Sequence, residues 1–504
     1  MAAPVADAAP VVRPNPRRTW RRDAALLALG AIVLRLPALL ASRHLTFDDG
    51  QYGTVVLGLR AGDLPFRDLF SSQGPLFYPL LWVADLAGLR TLDGPRLLDV
   101  VSGAGAAVAT YAVARRVTSR SGALLAGVLV ATAGSILYVT APLAGDGPAL
   151  ALAIGAVALA LGYRANPSRG RAVAIGVAMG AAVCVKLIVA PAAIPIGLLL
   201  LGFGRGRGAE PDHGRRSWSD IAAAVGASIV VLIVTVVPWG PSRVWDQSVA
   251  YHRGSERLHS YTGNGWLIVR TLVERDPFVV AAAVASIAFM LVAARHDRAS
   301  VSTSATSPAL GRSTTVDTRT ALVLFGLWFS AQALFLVIEP TMFRPHVSQV
   351  VAPLALLACL RAAPWRVVAV LCVLLVPWWV NNVHDILWPS AYGHNEQAVV
   401  NQFRALPADQ LVISDEPGFA WRADRRVPPN FVDVSMKRFQ DGRLNTSVVA
   451  TAAVDPRVCA VLVWSNTRLG SLRALPRRLV DEGYEVTARY GGPKVLYERP
   501  DCKP

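Results

Sequence analysis

The sequence predicts a polytopic α-helical membrane protein of about 11–12 apolar segments, ending in a small extracytoplasmic α/β domain. Three observations predict it. Of the 504 residues, 53% are hydrophobic, and they gather in long apolar runs that give a mean hydropathy of +0.41. Short arginine-rich breaks separate these runs. From about residue 395 the long runs stop, and short apolar strands alternate with amphipathic stretches. A net charge of +16 would suit a nucleic-acid binder, but the arginines sit between apolar runs, where positive charge sets membrane orientation. Membrane lipids, not nucleic acid, are the expected surroundings.

Residues 1–20 are Pro/Ala-rich and lack a small-residue cleavage site behind an apolar core, which reads as a disordered cytoplasmic tail. A membrane domain then covers 21–380. Its candidate spans are 23–41, 75–92, 97–114, 121–140, 147–163, 172–188, 189–203, 218–239, 277–294, 320–338, 347–361 and 366–380. Several, such as "AIGVAMGAAVCV", are rich enough in Ala and Gly for close helix contact in lipid. Arg17, Arg18, Arg21 and Arg22 place the N-terminus in the cytoplasm. Later basic loops, from Arg115 and Arg116 to Arg361 and Arg366, alternate with loops that carry no such cluster. The loop 43–74, the loop 240–276, the turn "EPTMFRPH" and everything after 381 then lie outside the cytoplasm. This parity requires one segment not to cross. The segment 75–92, with Pro75, Pro79 and Asp85, is the one expected to lie re-entrant or at the interface. The Ser/Thr-rich stretch 299–319 reads as a cytoplasmic linker. Residues 381–504 hold "DQLVISDEPGFAWRA", "RVCAVLVWSN", "LPRRLVDEGYEVTARYGG" and "KVLYERP", a small α/β domain.

Of five cysteines, Cys184, Cys359 and Cys372 lie in apolar runs as small core residues, whereas Cys459 and Cys502 would pair only if their region faces an oxidising compartment. Richness in Ala, Arg and Gly suggests a high-GC bacterium and its plasma membrane.

The residues that draw attention are Asp48 and Asp49, adjacent acids straight after the first apolar run. Exposed loops commonly carry acids. This loop, however, is about thirty residues long and holds its own amphipathic stretch, "GQYGTVVLGLRAG", so it is expected to fold onto the membrane face. The order Phe47-Asp48-Asp49-x-x-Tyr52, then "LPFRDLFSSQGPLFYPLLW", resembles the first extracytoplasmic loop of the GT-C superfamily of membrane glycosyltransferases. The resemblance is to its protein-mannosyltransferase and aminoarabinose-transferase-like branch, glycosyltransferase family 39-like. It continues through "GPRLLDVVSGAGAAVATYAVARRV", "APLAGDGPALALAIGAVALAL" and "GVAMGAAVCVKLIVAP", about the first 200 residues. Two departures matter. Asp49 stands where the family commonly has Glu, and "SSQGPL" replaces a His-Pro-Pro-Leu pattern, so that any role of the histidine is absent or passes to Gln73.

The resemblance implies a GT-C-like catalytic domain that moves a sugar from a polyprenyl-phosphate carrier to an envelope glycan, lipid or protein. By position Asp48 matches the family's activating aspartate, with Asp49 and Asp146 as supporting acids. Asp48 and Asp146 could hold Mg²⁺ or Mn²⁺ near the leaving phosphate. Asp146, in "GDGPAL", equally has the placement of a helix cap. Lys186 lies inside an apolar run, where a charge reads as functional unless it snorkels to the interface. Lys186, Arg344 and His346, with Tyr52 and Gln73, are the candidate binders of donor phosphate and sugar. Arg344 has Glu339 nearby as an ordinary surface partner. In the loop 240–276, Trp245, Tyr251, His252, Arg253, His259, Tyr261 and Trp266 suit either a sugar phosphate or an interfacial aromatic belt. No metal-ligand spacing accompanies the histidines, and no Walker A or Rossmann glycine pattern occurs. The competing class is a transporter or flippase of a lipid-linked or polar substrate; the acids in loops rather than mid-span favour the transferase.

Overall fold

The computed structural model describes residues 16–203, 213–254, 256–299, 316–360, 365–388 and 393–502. Most of the tail 1–20 and of the linker 299–319 lies outside them, as does Arg361. Helix α1 (Pro16–Leu39) already begins inside the stretch expected to be tail. It packs with α4 (Leu97–Ala114) and α5 (Arg120–Thr132), and α4 in turn packs on α7 (Asp146–Ala165), α7 on α8 (Arg169–Val185), and α8 on α10 (His213–Val236). The small residues of α8 do there what their composition suggests: the Ser228 hydroxyl of α10 reaches the Gly176 carbonyl of α8 at 2.8 Å. Helix Ser348–Ala358 is buried along its whole length, against the helices Pro277–Ala299 and Thr318–Ile338.

Of the expected spans, five described helices are long and apolar enough to cross a membrane, or six if a bent pair counts as one. The others are short or interrupted. α3 (Phe77–Ala87), in the segment 75–92, has 11 residues. At 1.5 Å per residue it covers about 16 Å, half of the roughly 30 Å hydrocarbon core. α5 and α6 (Gly134–Thr140) meet at 57° around Ala133. α8 ends at Lys186, whose extended backbone (φ −157°, ψ 123°) leads through a 3₁₀ stretch into α9 (Ala193–Leu200). Freed carbonyls need partners at such a break. Those of Cys184 and Val185 accept the N–H groups of Leu76 (3.0 Å) and Gly74 (3.1 Å), so the first loop repairs the interrupted helix.

α2 (Phe47–Arg60) starts where Thr46 caps the Asp49 N–H at 3.1 Å and where two acids favour the helix N-terminus. It ends before Gly62, whose φ of +93° turns the chain away. Helix Trp365–Leu387 runs past residue 380, and the α/β elements begin at His394–Ala405. The four-stranded sheet has the order β1-β2-β4-β3: β1 (Leu411–Ser414) runs parallel to β2 (Val458–Val463), and β4 (Val495–Glu498) is antiparallel to β2 and to β3 (Glu485–Arg489). β1 and β2 are buried on both faces, as their unbroken apolar runs require. A disulfide joins Cys459 on β2 to Cys502.

The α/β domain seats on α2 through the helix Pro417–Arg422. A Cβ on Gly50 would stand 2.5 Å from the Gly418 Cα, so only two glycines permit this approach. Around it, Arg422 reaches Asp93 (2.8 Å), Arg468 bonds Glu416 (3.0 Å), and the Arg468 guanidinium lies over Phe47 at 4.4 Å.

Candidate active site

The adjacent acids have opposite environments. Asp49 is fully buried and both its oxygens are used. Oδ1 accepts from Leu143 N (2.9 Å) and Arg96 Nε (3.1 Å); Oδ2 accepts from Leu45 N (2.8 Å) and Arg96 Nη2 (2.5 Å). Arg96 has its other donors on the carbonyls of Ala38, Ala41 and Arg43 and on Asp93, and lies over Trp421 at 5.1 Å. Asp49 therefore ties α2 to the end of α1 and the start of α4, with no lone pair left for chemistry. Asp48, one residue earlier on the helix, is half-buried and makes no hydrogen bond to any described residue. Burial pushes its carboxyl up to about 6, against the pull of Lys186 and with the push of Asp146 and Asp433.

Asp146 begins α7, and its Oδ2 receives the Lys186 ammonium at 2.6 Å; its Oδ1 is buried without a partner. Its side chain caps no backbone N–H, so the helix-cap reading gives way to an ion pair. Lys186 is only 16% exposed and faces a carboxylate at the helix break, so it does not snorkel. Gln73 is nine-tenths buried, and its side-chain amide bonds no described residue. Its Oε1 would lie 3.1 Å from a Cβ on Gly145, which puts it next to Asp146 and Lys186. Tyr52, on the same helix as Asp48 and one turn on, is 2% exposed with an unbonded hydroxyl. Burial pushes that phenol well up, with Asp48, Asp433 and Asp146 adding to the effect.

The loop 240–276 straps the first loop in place. Gln247 accepts Ser71 N (2.8 Å) and donates to Phe66 O (3.0 Å); the Ser248 hydroxyl donates to Gln73 O (2.5 Å); and His252 Nε2 lies 2.9 Å from Ser72 O. His252 thus has a bracing contact with loop backbone. His346 stays neutral: burial, aided by Lys186, carries it down to about 3. Arg344 pairs with Glu274 rather than with Glu339.

Sequence reasoning missed four residues. Arg96 was legible as a charge immediately after Gly-Pro at the mouth of an apolar run. Arg275, before the apolar run that starts at Pro277, lies over the Tyr138 ring at 4.2 Å with Nη1 buried and unpartnered. Tyr138, on α6, is the ring that receives this guanidinium. Asp433 comes from the α/β domain, where nothing in "NFVDVSMKR" marks it out.

Among the described residues no three His, Cys, Asp or Glu side chains converge on one point. The free oxygens of Asp48 and Asp146 are a donor set of the kind Mg²⁺ uses, one or two carboxylates completed by substrate phosphate and water.

No family model and no curated protein matches the sequence. Solved structures do match in fold. ArnT from Cupriavidus metallidurans in the apo state superposes with a TM-score of 0.63 at 14% identity, over 96% of this chain and 98% of that one. The same protein bound to undecaprenyl phosphate gives 0.61 at 13%, with equal coverage. An oligosaccharyltransferase from Archaeoglobus fulgidus, in complex with Zn and sulfate, gives 0.50 at 12%, over 95% of this chain and 73% of that one. The chain shares the fold of the ArnT structures. The structural likeness extends through the C-terminal region, beyond the roughly 200 residues over which the sequence pattern resembles the family.

Proposed function

We propose that this protein is an integral membrane glycosyltransferase that moves a sugar from a polyprenyl-phosphate carrier to a hydroxyl of a cell-envelope acceptor on the extracytoplasmic face. The observation that carries the reading is Asp48: a carboxylate without a protein partner, raised toward neutrality, beside the Asp146–Lys186 pair. Asp48 takes the proton of the acceptor hydroxyl as its oxygen attacks the anomeric carbon. The bond from that carbon to the phosphate oxygen breaks, and the electron pair leaves with the carrier phosphate. Lys186, Arg275 and Arg344 meet the developing negative charge, with His346 and Gln73 as neutral hydrogen-bonding groups. Asp49 and Arg96 are positioning residues that hold α2 in register. A divalent cation, when bound, would be held by Asp48 and Asp146 and would add charge stabilisation at the leaving phosphate.

The fold supports this reading, since ArnT has been solved with undecaprenyl phosphate bound. The arginine pattern and the Cys459–Cys502 bond support an extracytoplasmic α/β domain. The helix breaks at Ala133 and Lys186 are the features a transporter would also have. Transfer of radiolabelled sugar from polyprenyl-phosphate donors to envelope acceptors, in membranes with wild type or Asp48→Asn at equal expression, separates the two. The transferase reading expects a loss of roughly 10²–10⁴-fold. Equal transfer in both would move the base elsewhere, and substrate movement without bond cleavage would install the transporter.

A further inference from the structure

The α/β domain does not merely cover the site. The segment 427–438 is fixed by internal bonds: Arg438 Nη1 donates to the carbonyls of Asn430 (2.6 Å) and Asp433 (2.7 Å), and its Nη2 donates to Asn430 Oδ1 (2.7 Å). A contact between the Ser435 and Tyr251 hydroxyls (2.9 Å) ties the segment to the strap that braces the first loop. Asp433 sits at its centre, 1% exposed. Its Oδ1 accepts Ser435 N at 3.0 Å, whereas Oδ2 receives no hydrogen bond from the described residues. Its charge bears on Asp48 and Tyr52 of α2, Tyr78 of α3 and Tyr251 of the strap. The Tyr52 hydroxyl, buried among these acids, has no partner either.

Two nearly buried side chains that each keep an oxygen free of hydrogen bonds to the described residues can offer that oxygen to a ligand. The polarity of the site says which ligand. Lys186, bonded to Asp146 at 2.6 Å, and Arg275, with its Nη1 buried and unpartnered, supply positive charge, and a phosphate is welcome there. A phosphate is repelled by Asp433. Carboxylate and phenol oxygens instead accept and donate to hydroxyls.

We propose that Asp433, carried into the site by the α/β domain, orients the acceptor together with Tyr52, by hydrogen bonds to hydroxyl groups of a neutral, polyhydroxylated acceptor such as an uncharged glycan. The inference rests on the transferase reading above and assigns Asp433 and Tyr52 to the acceptor rather than to the donor. It moves Tyr52 from the donor-binding role that the sequence alone suggested.

The test uses the full chain in lipid nanodiscs, with a solubilised envelope polysaccharide fraction as acceptor probe and undecaprenyl phosphate as competitor of the donor. Asp433→Asn retains an oxygen for Ser435 N, and its thermal midpoint establishes that the domain is folded. The expected result is a rise of tenfold or more in the half-saturating acceptor concentration, while inhibition by undecaprenyl phosphate stays within twofold of wild type. Tyr52→Phe should move the same parameter in the same direction. Unchanged acceptor saturation in Asp433→Asn, or an equal weakening of undecaprenyl phosphate, overturns the assignment and leaves the transferase reading standing. A wild type that binds undecaprenyl phosphate yet moves no sugar removes the transferase reading and this assignment with it.

Discussion

Asp48 and Asp49 are neighbours in sequence whose replacement by asparagine should have opposite consequences. Asp49→Asn leaves the Arg96 guanidinium, 0% exposed, without the carboxylate that receives two of its donors, and it sets an amide NH₂ against the backbone N–H of Leu45 or Leu143. Removing one partner of a buried pair costs about 3–5 kcal/mol, because the other charge stays buried. The carbonyls of Ala38, Ala41 and Arg43 and the carboxylate of Asp93 retain part of the Arg96 coordination, which favours the lower end of that range. Asp48→Asn breaks no hydrogen bond and should lie within about 1 kcal/mol of wild type. The assay is reversible unfolding of the detergent-purified protein alongside sugar transfer. Asp49→Asn should be destabilised with donor binding and transfer lost together. Asp48→Asn should be stable and inactive. In a cycle of Asp49→Ala, Arg96→Ala and the double variant, the coupling should exceed about 1 kcal/mol. A stable, inactive Asp49→Asn would refute the reasoning, because it would make Asp49 a chemical participant rather than a pin.

Transfer should rise with pH with a half-maximum near 6: the carboxylate of Asp48 is the active form, and burial has moved its protonation up to about 6. Lys186→Met removes the cation that opposes this rise, so the acidic limb should move to higher pH; a limb that stays put would separate Lys186 from Asp48. Gly50→Val places side-chain atoms against the Gly418 backbone, where a Cβ alone would sit at 2.5 Å. Overpacking of about 1–3 kcal/mol should loosen the α/β domain, read as faster release of a C-terminal fragment in limited proteolysis. Cys459→Ser opens a 43-residue loop worth about 4 kcal/mol by chain entropy, so the α/β domain should unfold at lower temperature in the variant and, under reductant, in wild type.

The strands of the α/β domain were legible because their runs are short, apolar and β-branched. α2 was legible because an N-capping threonine and two acids precede an apolar stretch that closes at Gly62. Hydropathy overstated the number of full-length spans. It registers apolar length, and the chain keeps that length while breaking the helix at Ala133 and at Lys186; at Lys186 loop N–H groups, invisible to a window average, complete the backbone. In the site, the resemblance pointed to Asp48 and Asp146, and the cost of a charge inside an apolar run pointed to Lys186; Lys186 bonds Asp146, and both bear on Asp48. The resemblance ranked Asp48 as the activating acid and Asp49 as a supporting one, but that Asp49 is held by Arg96, 47 residues away in sequence, was not legible. Asp433 was out of reach for the same reason, its proximity to Asp48 being made by docking of a domain rather than by any local pattern.

The seat of the α/β domain gives the fold a way to couple its two halves. The first turns of α2 carry the proposed base, the pin and Gly50 within three residues, Asp48 to Gly50: Asp48 feels Lys186 and Asp146, Asp49 holds the α1 and α4 ends through Arg96, and Gly50 meets the helix Pro417–Arg422. Arg422 shares Asp93 with Arg96, and Arg96 lies over Trp421. The pin of α2 and the seat of the domain are thus one connected set of contacts. A displacement of the domain would disturb the orientation of Asp48 and withdraw Asp433 in the same movement. A small domain that contributes a single carboxylate to the site can therefore govern whether the base is aligned at all, which accounts for a seat built from two glycines, a buried arginine and an aromatic ring rather than from a flexible tether.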